Sequence, residues 1–404
     1  MFVEFITDID SPSGYSNFAR VFIRAAVEQG IQCKVTRSKH DRTTIPLCEW
    51  WSKNIVNLLN ADGKPDIRMH IETPEFFRVS KRCKSLGFTF WETNLIPSEP
   101  PKGEPAWPAP QYNWAKQMNY MDGMWTSANF AIHSFQNAGV TVPCHVVGIP
   151  VEVPEENYSS APIQELAIRG VTVDMGDRPI PRDRRPIVIA SIAQWTWRKN
   201  LEDTIAAVCT EFTSDEVVLL LKTYGAAQNH AEEEEKIRQR TRNIKAMLGL
   251  KNLPRVILLQ NTLSDAHMER LYNSIDIFLS TSRGEGFCIP TAQAMAHGVP
   301  TVATGWSAFV DYIIPDETGW LVDYHMEPVM GMPHIPWYRP NQQWARVDMN
   351  DLMAKLREVY AGLRGNDRSR VMTIAQQGKE FIRDNFSREA IGKRTIKLFE
   401  ESLS

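Results

Sequence analysis

Short apolar runs of strand length alternate with segments of helical periodicity through the second half of the chain. Ile187-Val-Ile-Ala begins a strand. Helix 201–212, strand 217–222, a charged helix near 231–248, strand 256–259, helix 264–273, strand 276–280, helix 290–297 and a strand from Val299 follow in turn. Strands separated by helices cannot pair as tight hairpins. Each helix carries the chain back across the sheet, so successive strands run parallel. The pattern predicts a doubly wound α/β domain. The N-terminal half opens the same way. Phe2 to Thr7 is an apolar run, and Asp8 to Ser16 is rich in turn residues. Phe18, Val21, Phe22 and Ala25 recur at helical spacing, Gly30 stands where a helix cap belongs, and Ile31, Cys33 and Val35 alternate. Phe88–Trp91, Met124–Ser127 and Cys144–Val147 are further strand candidates, with a helix near 128–138.

The chain of 404 residues is long enough for two such domains. The expected division is 1–155, a linker or insertion over 156–185, a second domain over 186–380, and a C-terminal helix over 381–404 that crosses back to the first. The linker assignment rests on Arg178–Pro186, too rich in proline and charge for a core element. Open α/β sheets take ligands at the carboxyl ends of their strands, so two such domains facing across a cleft would place a ligand there. The formal charge of −3, from 45 basic and 48 acidic residues, argues against broad binding of nucleic acid. It leaves room for a local basic groove, for which Arg37, Lys39 and Arg42, and Arg78, Lys81, Arg82 and Lys84, are the candidates. Six cysteines with no Cys-x-x-Cys pair suit free thiols in a reducing compartment. No apolar run approaches the ~20 residues of a membrane-spanning helix. The acidic Glu4, Asp8 and Asp10 do not suit a secretory signal. A cytoplasmic protein without a membrane span is expected. Its oligomeric state has no signature in the sequence.

The segment richest in chemistry is Ser280-Thr-Ser-Arg-Gly284-Glu285-Gly286-Phe287-Cys288-Ile-Pro290, then Gln293-Ala-Met-Ala-His-Gly298. A buried strand ends, a glycine-rich turn follows, and Pro290 suits the start of a helix. The N–H groups of Gly286, Phe287 and Cys288 would lie at that helix N-terminus, where an anion such as a phosphate is favoured. A lone Gly-x-Gly is more often an ordinary strand-to-helix turn.

The whole segment resembles the Glu-x7-Glu signature of retaining GT-B glycosyltransferases of the family 4 type. The usual form is Glu-Gly-Phe-Gly, four residues, then Glu-Ala-Met-Ala-x-Gly. Here Cys288 replaces the second glycine and Gln293 the second glutamate. Ser191 to Leu201, with Trp-Arg198-Lys199-Asn200, resembles the basic turn that opens the family's C-terminal domain. In the N-terminal half, Ser13-Gly14-Tyr15, Trp91-Glu92-Thr93, Asp122 to Phe130 and His145 to Pro150 also resemble the family. The resemblance implies a GT-B fold of two Rossmann-like domains and retaining transfer of a sugar from a nucleotide diphosphate sugar, a UDP-sugar first among them. It implies a catalytic set of Glu285, Lys199 and Lys222, and donor binding by Arg198, Gly286, Phe287, Cys288 and Gln293. It places Ser13, Gly14, Tyr15, Trp91 and Glu92 on the acceptor or cleft side. The lysines would hold the diphosphate as it gains charge. Gln293 would meet the ribose hydroxyls, with a weaker bond than a carboxylate makes.

The implied acceptor is a hydroxyl on a saccharide or glycan. A hydroxymethylated base in viral DNA is the alternative, through the basic clusters named above. No further cofactor is expected. Asp8-Ile9-Asp10 is a nominal metal motif of a different glycosyltransferase fold, but it ends a strand and reads as a turn, so no metal is expected either. A nucleotide-sugar epimerase and a non-catalytic sugar-nucleotide binding protein are the rival functions on the same scaffold.

Overall fold

The first unit's strands run parallel because each connection carries the chain back across the sheet before the next strand begins. In chain order the first unit builds β1 (Phe2–Thr7), α1 (Gly14–Glu28), β2 (Gln32–Arg37), α2 (Glu49–Asn60), β3 (Ile67–Ile71), β4 (Lys84–Phe88), α3 (Trp114–Met118), β5 (Gly123–Thr126), α4 (Asn129–Asn137) and β6 (Cys144–Val146). The six strands form one parallel sheet in the order β2-β1-β3-β4-β5-β6. The computed structural model describes residues 1–11, 13–38, 48–98, 112–154, 185–225, 230–332, 335–365 and 367–404. The proline-rich stretch from 99 and all of the predicted linker but Arg185 lie outside these residues.

The second unit runs β7 (Ile187–Gln194), α5 (Leu201–Glu211), β8 (Val217–Tyr224), α6 (His230–Leu248), β9 (Arg255–Leu259), α7 (Asp265–Ser274), β10 (Ile277–Ser280), α8 (Ile289–Ala296), β11 (Thr301–Thr304) and β12 (Trp320–Val322). Its parallel sheet has the order β12-β11-β10-β7-β8-β9. Strands β13 (Tyr324–Pro328) and β14 (Gln343–Val347) form a separate two-stranded sheet, and α9 (Met349–Arg364), α10 (Arg368–Phe386) and α11 (Arg388–Leu403) end the chain. The first unit comprises Met1–Glu152 with Ile335–Gln343 and Arg383–Ser404, and the second comprises Val153–His334 with Trp344–Ile382. Among the described residues no helix is long and apolar enough to cross a membrane.

Besides elements such as α2 and β3, which the sequence pattern does not predict, two features of the first unit differ from expectation. The strand predicted at Phe88–Trp91 instead spans Lys84–Phe88. Past Phe88 the backbone leaves the ladder. The Phe90 N–H donates to the Tyr15 hydroxyl at 3.2 Å, and Trp91 packs at 5.0 Å from Trp114 in an aromatic cluster. The segment Ile335–Gln343 adds to that cluster, with Trp337 5.4 Å from Trp114 and Tyr338 5.6 Å from Trp91.

Helix α11 completes the first unit's core. Phe399 is fully buried, 4.6 Å from Trp125 and 6.3 Å from Phe5 between ring centroids. Gly392 lets α11 approach α1 closely, since a Cβ there would stand 2.8 Å from the Ala25 carbonyl oxygen. Phe399→Ala should therefore destabilise the protein by about 3–5 kcal/mol. Hydrogen exchange should show lost protection over residues 1–152 while residues 187–322 keep theirs.

Candidate functional site

In the second unit the direction of strand order reverses between β7 and β10, which lie side by side although two strands separate them in sequence. The loops leaving their carboxyl ends must part there, and a crevice opens between them. These loops are Trp195–Asn200 and Thr281–Cys288, the two segments that carry the sequence motifs. They are stitched together at their bases. The Arg283 N–H donates to the Arg198 carbonyl at 2.8 Å, and the Thr281 hydroxyl to the Asn200 carbonyl at 2.8 Å. Asn200 adopts a left-handed conformation (φ 55°) and donates its amide to Asp203 and to the Thr281 carbonyl. That turn ends a short 3-10 segment, Trp197–Lys199, and starts α5.

The result is a buried ionic cluster. The Glu285 carboxylate, 4% exposed, accepts from Lys199 Nζ, from Arg198 Nη1 at 3.1 Å and from the Ser282 hydroxyl at 2.6 Å. Its backbone N–H donates to the Ser307 hydroxyl at 3.0 Å. Burial alone would raise the pKa of this carboxyl. The charges of Lys199 and Arg198 and the bonds from Lys199 and Ser282 overcome it and hold the pKa at about 2. Arg283, 1% exposed, supports the basic turn from beneath. It bonds to the Trp197 carbonyl, stacks 4.5 Å from the Trp197 ring and donates to Glu327 at 2.6 Å.

Lys199, Arg198 and Glu285 thus meet as neighbours. Lys222 stands apart on β8, near the carboxyl end of that strand. Burial pushes its ammonium pKa down, and among the described residues no carboxylate pairs with it. Gly286, Phe287 and Cys288 are all buried. The Phe287 carbonyl is fixed by the Tyr312 hydroxyl at 2.8 Å. Cys288 caps α8 in a left-handed conformation (φ 66°), which favours glycine, and burial pushes its thiol up to about 11. Gln293 is half-buried on α8, its Oε1 3.0 Å from the Tyr272 hydroxyl. Ser282, Arg283, Ser307 and Tyr272 were not singled out from the sequence. The first two stand inside the motif segment, which by itself gives them no separate role; Ser307 and Tyr272 carry no signal in the sequence.

The first unit has its own reversal point, between β1 and β3. Ser13 caps α1, its hydroxyl accepting from the Ser16 N–H, and Gly14 begins that helix with open space where a Cβ would stand. The Tyr15 hydroxyl lies 2.7 Å from Thr89 Oγ1. Burial, with added repulsion from Glu92 and Glu75, holds it far above the ordinary range for a phenol. Trp91 is 3% exposed and belongs to the core, its indole donating to the Leu95 carbonyl at 2.7 Å. Glu92 accepts from the Tyr338 hydroxyl at 3.0 Å. Asp8 accepts from the Asp10 N–H and the Ser16 hydroxyl, while Asp10 pairs with Arg37, so both aspartates serve the turn.

Residues 185–329 match the family model described as "Glycosyl transferases group 1". The second unit carries a group 1 glycosyl transferase domain. A candidate colanic acid biosynthesis glycosyltransferase, WcaL of Escherichia coli, is 25% identical over 170 residues, which cover 40% of this chain and 39% of that relative's length. Solved structures also resemble nearly the whole chain, two of them as follows. Sucrose-phosphate synthase of Thermosynechococcus elongatus has a TM-score of 0.66 at 15% identity, covering 99% of this chain and 98% of its own. Anabaena Alr3699/HepE, solved in complex with UDP and glucose, has a TM-score of 0.61 at 13% identity, covering 99% of this chain and 100% of its own. At such low identity these likenesses establish the fold, and the chain, with its two parallel-sheet Rossmann-like units, has the GT-B fold.

Two outcomes follow from this geometry. At position 288 the usual preference for alanine over glycine should reverse. Cys288→Gly should exceed Cys288→Ala in stability by about 1 kcal/mol, measured by urea unfolding, because only glycine adopts this backbone without strain. The lowered pKa of Glu285 gives a stability contribution that is whole above its ordinary value of 4.5 and is lost as pH falls through about 2. The difference in unfolding free energy between the natural chain and Glu285→Gln should therefore shrink from pH 4.5 to 2. A constant difference across that window would mean the carboxylate is not clamped.

Proposed function

We propose that this chain transfers a sugar from a nucleotide diphosphate sugar to a saccharide hydroxyl, with retention of anomeric configuration. The single observation that carries the reading is the pairing of Lys199 and Arg198 with a buried glutamate at the reversal point of a group 1 glycosyl transferase domain. Two cations on a rigid turn suit a diphosphate. Its charge grows as the glycosidic bond breaks, and fixed positive charge in a dry site lowers the energy of that change. Glu285, with a pKa near 2, is a poor base. Its part is to set the cations before the donor arrives and to accept from sugar hydroxyls once the diphosphate has taken over Lys199 and Arg198. The departing phosphate oxygen then takes the acceptor proton, on the face from which it leaves. That path retains configuration without a covalent intermediate on the protein and needs no metal. The complex of Alr3699/HepE with UDP makes a UDP-sugar the first donor to test.

Charge placement favours a saccharide acceptor over DNA. Lys84 is the first residue of β4, with Lys81 and Arg82 just before it. They stand at the amino edge of the sheet, opposite the loops after β1 and β3. The Arg78 guanidinium donates to the carbonyls of Glu75 and Phe77, and Arg37 pairs with Asp10. Lys39 and Arg42 lie outside the described residues.

Lys199→Ala should lower donor turnover at least tenfold, or about 1.4 kcal/mol. Glu285→Gln separates two roles. It frees both cations, so calorimetry should show UDP bound at least as tightly as by the natural chain, while transfer falls at least tenfold. Weaker UDP binding in a folded Glu285→Gln protein would contradict the assignment. The anomeric configuration of the product, read by proton NMR, tests retention.

A further inference from the structure

Gln293 is the fifth residue of α8, the helix that Cys288 caps. Its partner is Tyr272, on α7, which is 1% exposed. The Tyr272 hydroxyl is 3.0 Å from Gln293 Oε1 and has no other hydrogen-bond partner among the described residues. A hydroxyl this deeply buried must place its proton on an acceptor, since leaving it unbonded costs about 1–3 kcal/mol. An amide nitrogen accepts no hydrogen bond. Oxygen therefore faces Tyr272, and the Nε2 group, with two N–H bonds, has no hydrogen-bond partner among the described residues.

His297 locks the arrangement. Its ring stacks on Tyr272 at 5.0 Å and 28°, and its Nδ1 lies 2.7 Å from the Gln293 carbonyl. A carbonyl only accepts, so Nδ1 carries the proton. Burial pushes the pKa of this histidine down. Gln293 is thus gripped at its backbone by His297 and at its side chain by Tyr272, while those two rings brace each other.

We propose that Tyr272 is a positioning residue that fixes the polarity of Gln293, so that this site donates hydrogen bonds to the ribose oxygens of the nucleotide instead of accepting their protons. The inference rests on the nucleotide-sugar reading above and on the contact with the ribose that the family resemblance implies for position 293. A glutamate at the same position would present only accepting oxygens and would require hydroxyl protons on the ligand. The amide requires only lone pairs, so an ether oxygen serves it as well as a hydroxyl.

The experiment is calorimetric titration of the full chain with UDP and its 2′-O-methyl and 3′-O-methyl ethers, compared among the natural protein, Gln293→Glu and Tyr272→Phe. A methyl ether keeps the oxygen and removes the proton, and its bulk acts equally in all three proteins. At the contacted position, the affinity lost on methylation should be at least about fivefold greater in Gln293→Glu than in the natural chain, the worth of roughly one hydrogen bond. Tyr272→Phe should bind UDP about threefold more weakly, with its fold intact by thermal unfolding, because the amide is free to turn. Equal methylation losses in the natural chain and Gln293→Glu would overturn the proposal, as would a Tyr272→Phe protein that binds all three ligands like the natural chain. If UDP binds normally and these ratios coincide, only the polarity of Gln293 is wrong. If neither UDP nor its ethers bind the natural chain, the nucleotide-sugar reading falls and takes this one with it.

Discussion

A carboxylate clamped between two cations, in a place almost closed to water, organises the second unit of this protein. Taking Glu285 out of water is unfavourable by itself. It is tolerated because Lys199, Arg198 and Ser282 all reach the same two oxygens. Such a cluster can form only if two loops far apart in sequence stand a few ångströms apart. The sheet order secures that, since β7 and β10 are neighbours and their loops leave from the same edge. The backbone bonds from Arg283 to Arg198 and from Thr281 to Asn200 then fix the loops to each other. Fold and site are one construction here: the reversal of strand order creates the crevice, and the ionic cluster fills it with charge ready to be exchanged.

Strained backbone sits where this construction is tightest. Asn200 and Cys288, both left-handed, close the basic turn and open α8. Asparagine tolerates that conformation because its side chain bonds locally, here to Asp203 and the Thr281 carbonyl. Cysteine has no such compensation beyond a 3.1 Å contact from the Thr291 hydroxyl to its sulfur. The surrounding packing must hold the turn in place, which agrees with the burial of every residue from Thr281 to Cys288.

Much of the second unit was legible in the sequence, because its strands are unbroken apolar runs and its helices are amphipathic. Strand β8 reads Val-Val-Leu-Leu-Leu before Lys222, and β7 reads Ile-Val-Ile-Ala. The first unit was harder. Strand β3 is Ile-Arg-Met-His-Ile, and its polar members hide it. The structure accounts for them through partners elsewhere: Arg68 pairs with Glu4 at 2.8 Å, and His70 lies 2.6 Å from Glu72. The return of Ile335–Gln343 to the first unit depends on tryptophan and tyrosine rings meeting across more than two hundred residues, which no local pattern records. In the site, the meeting of Lys199 with Glu285 follows from where two motifs lie on neighbouring strands. Ser307 and Tyr272 act through tertiary contact alone and leave no trace in spacing.

The most direct measurement is a crystal structure of the chain with UDP bound. The account predicts diphosphate oxygens within hydrogen-bonding distance of Lys199 Nζ and Arg198 Nη1, with the Glu285 carboxylate displaced from at least one of those cations. A diphosphate seated elsewhere, with the Glu285 cluster intact, would contradict it.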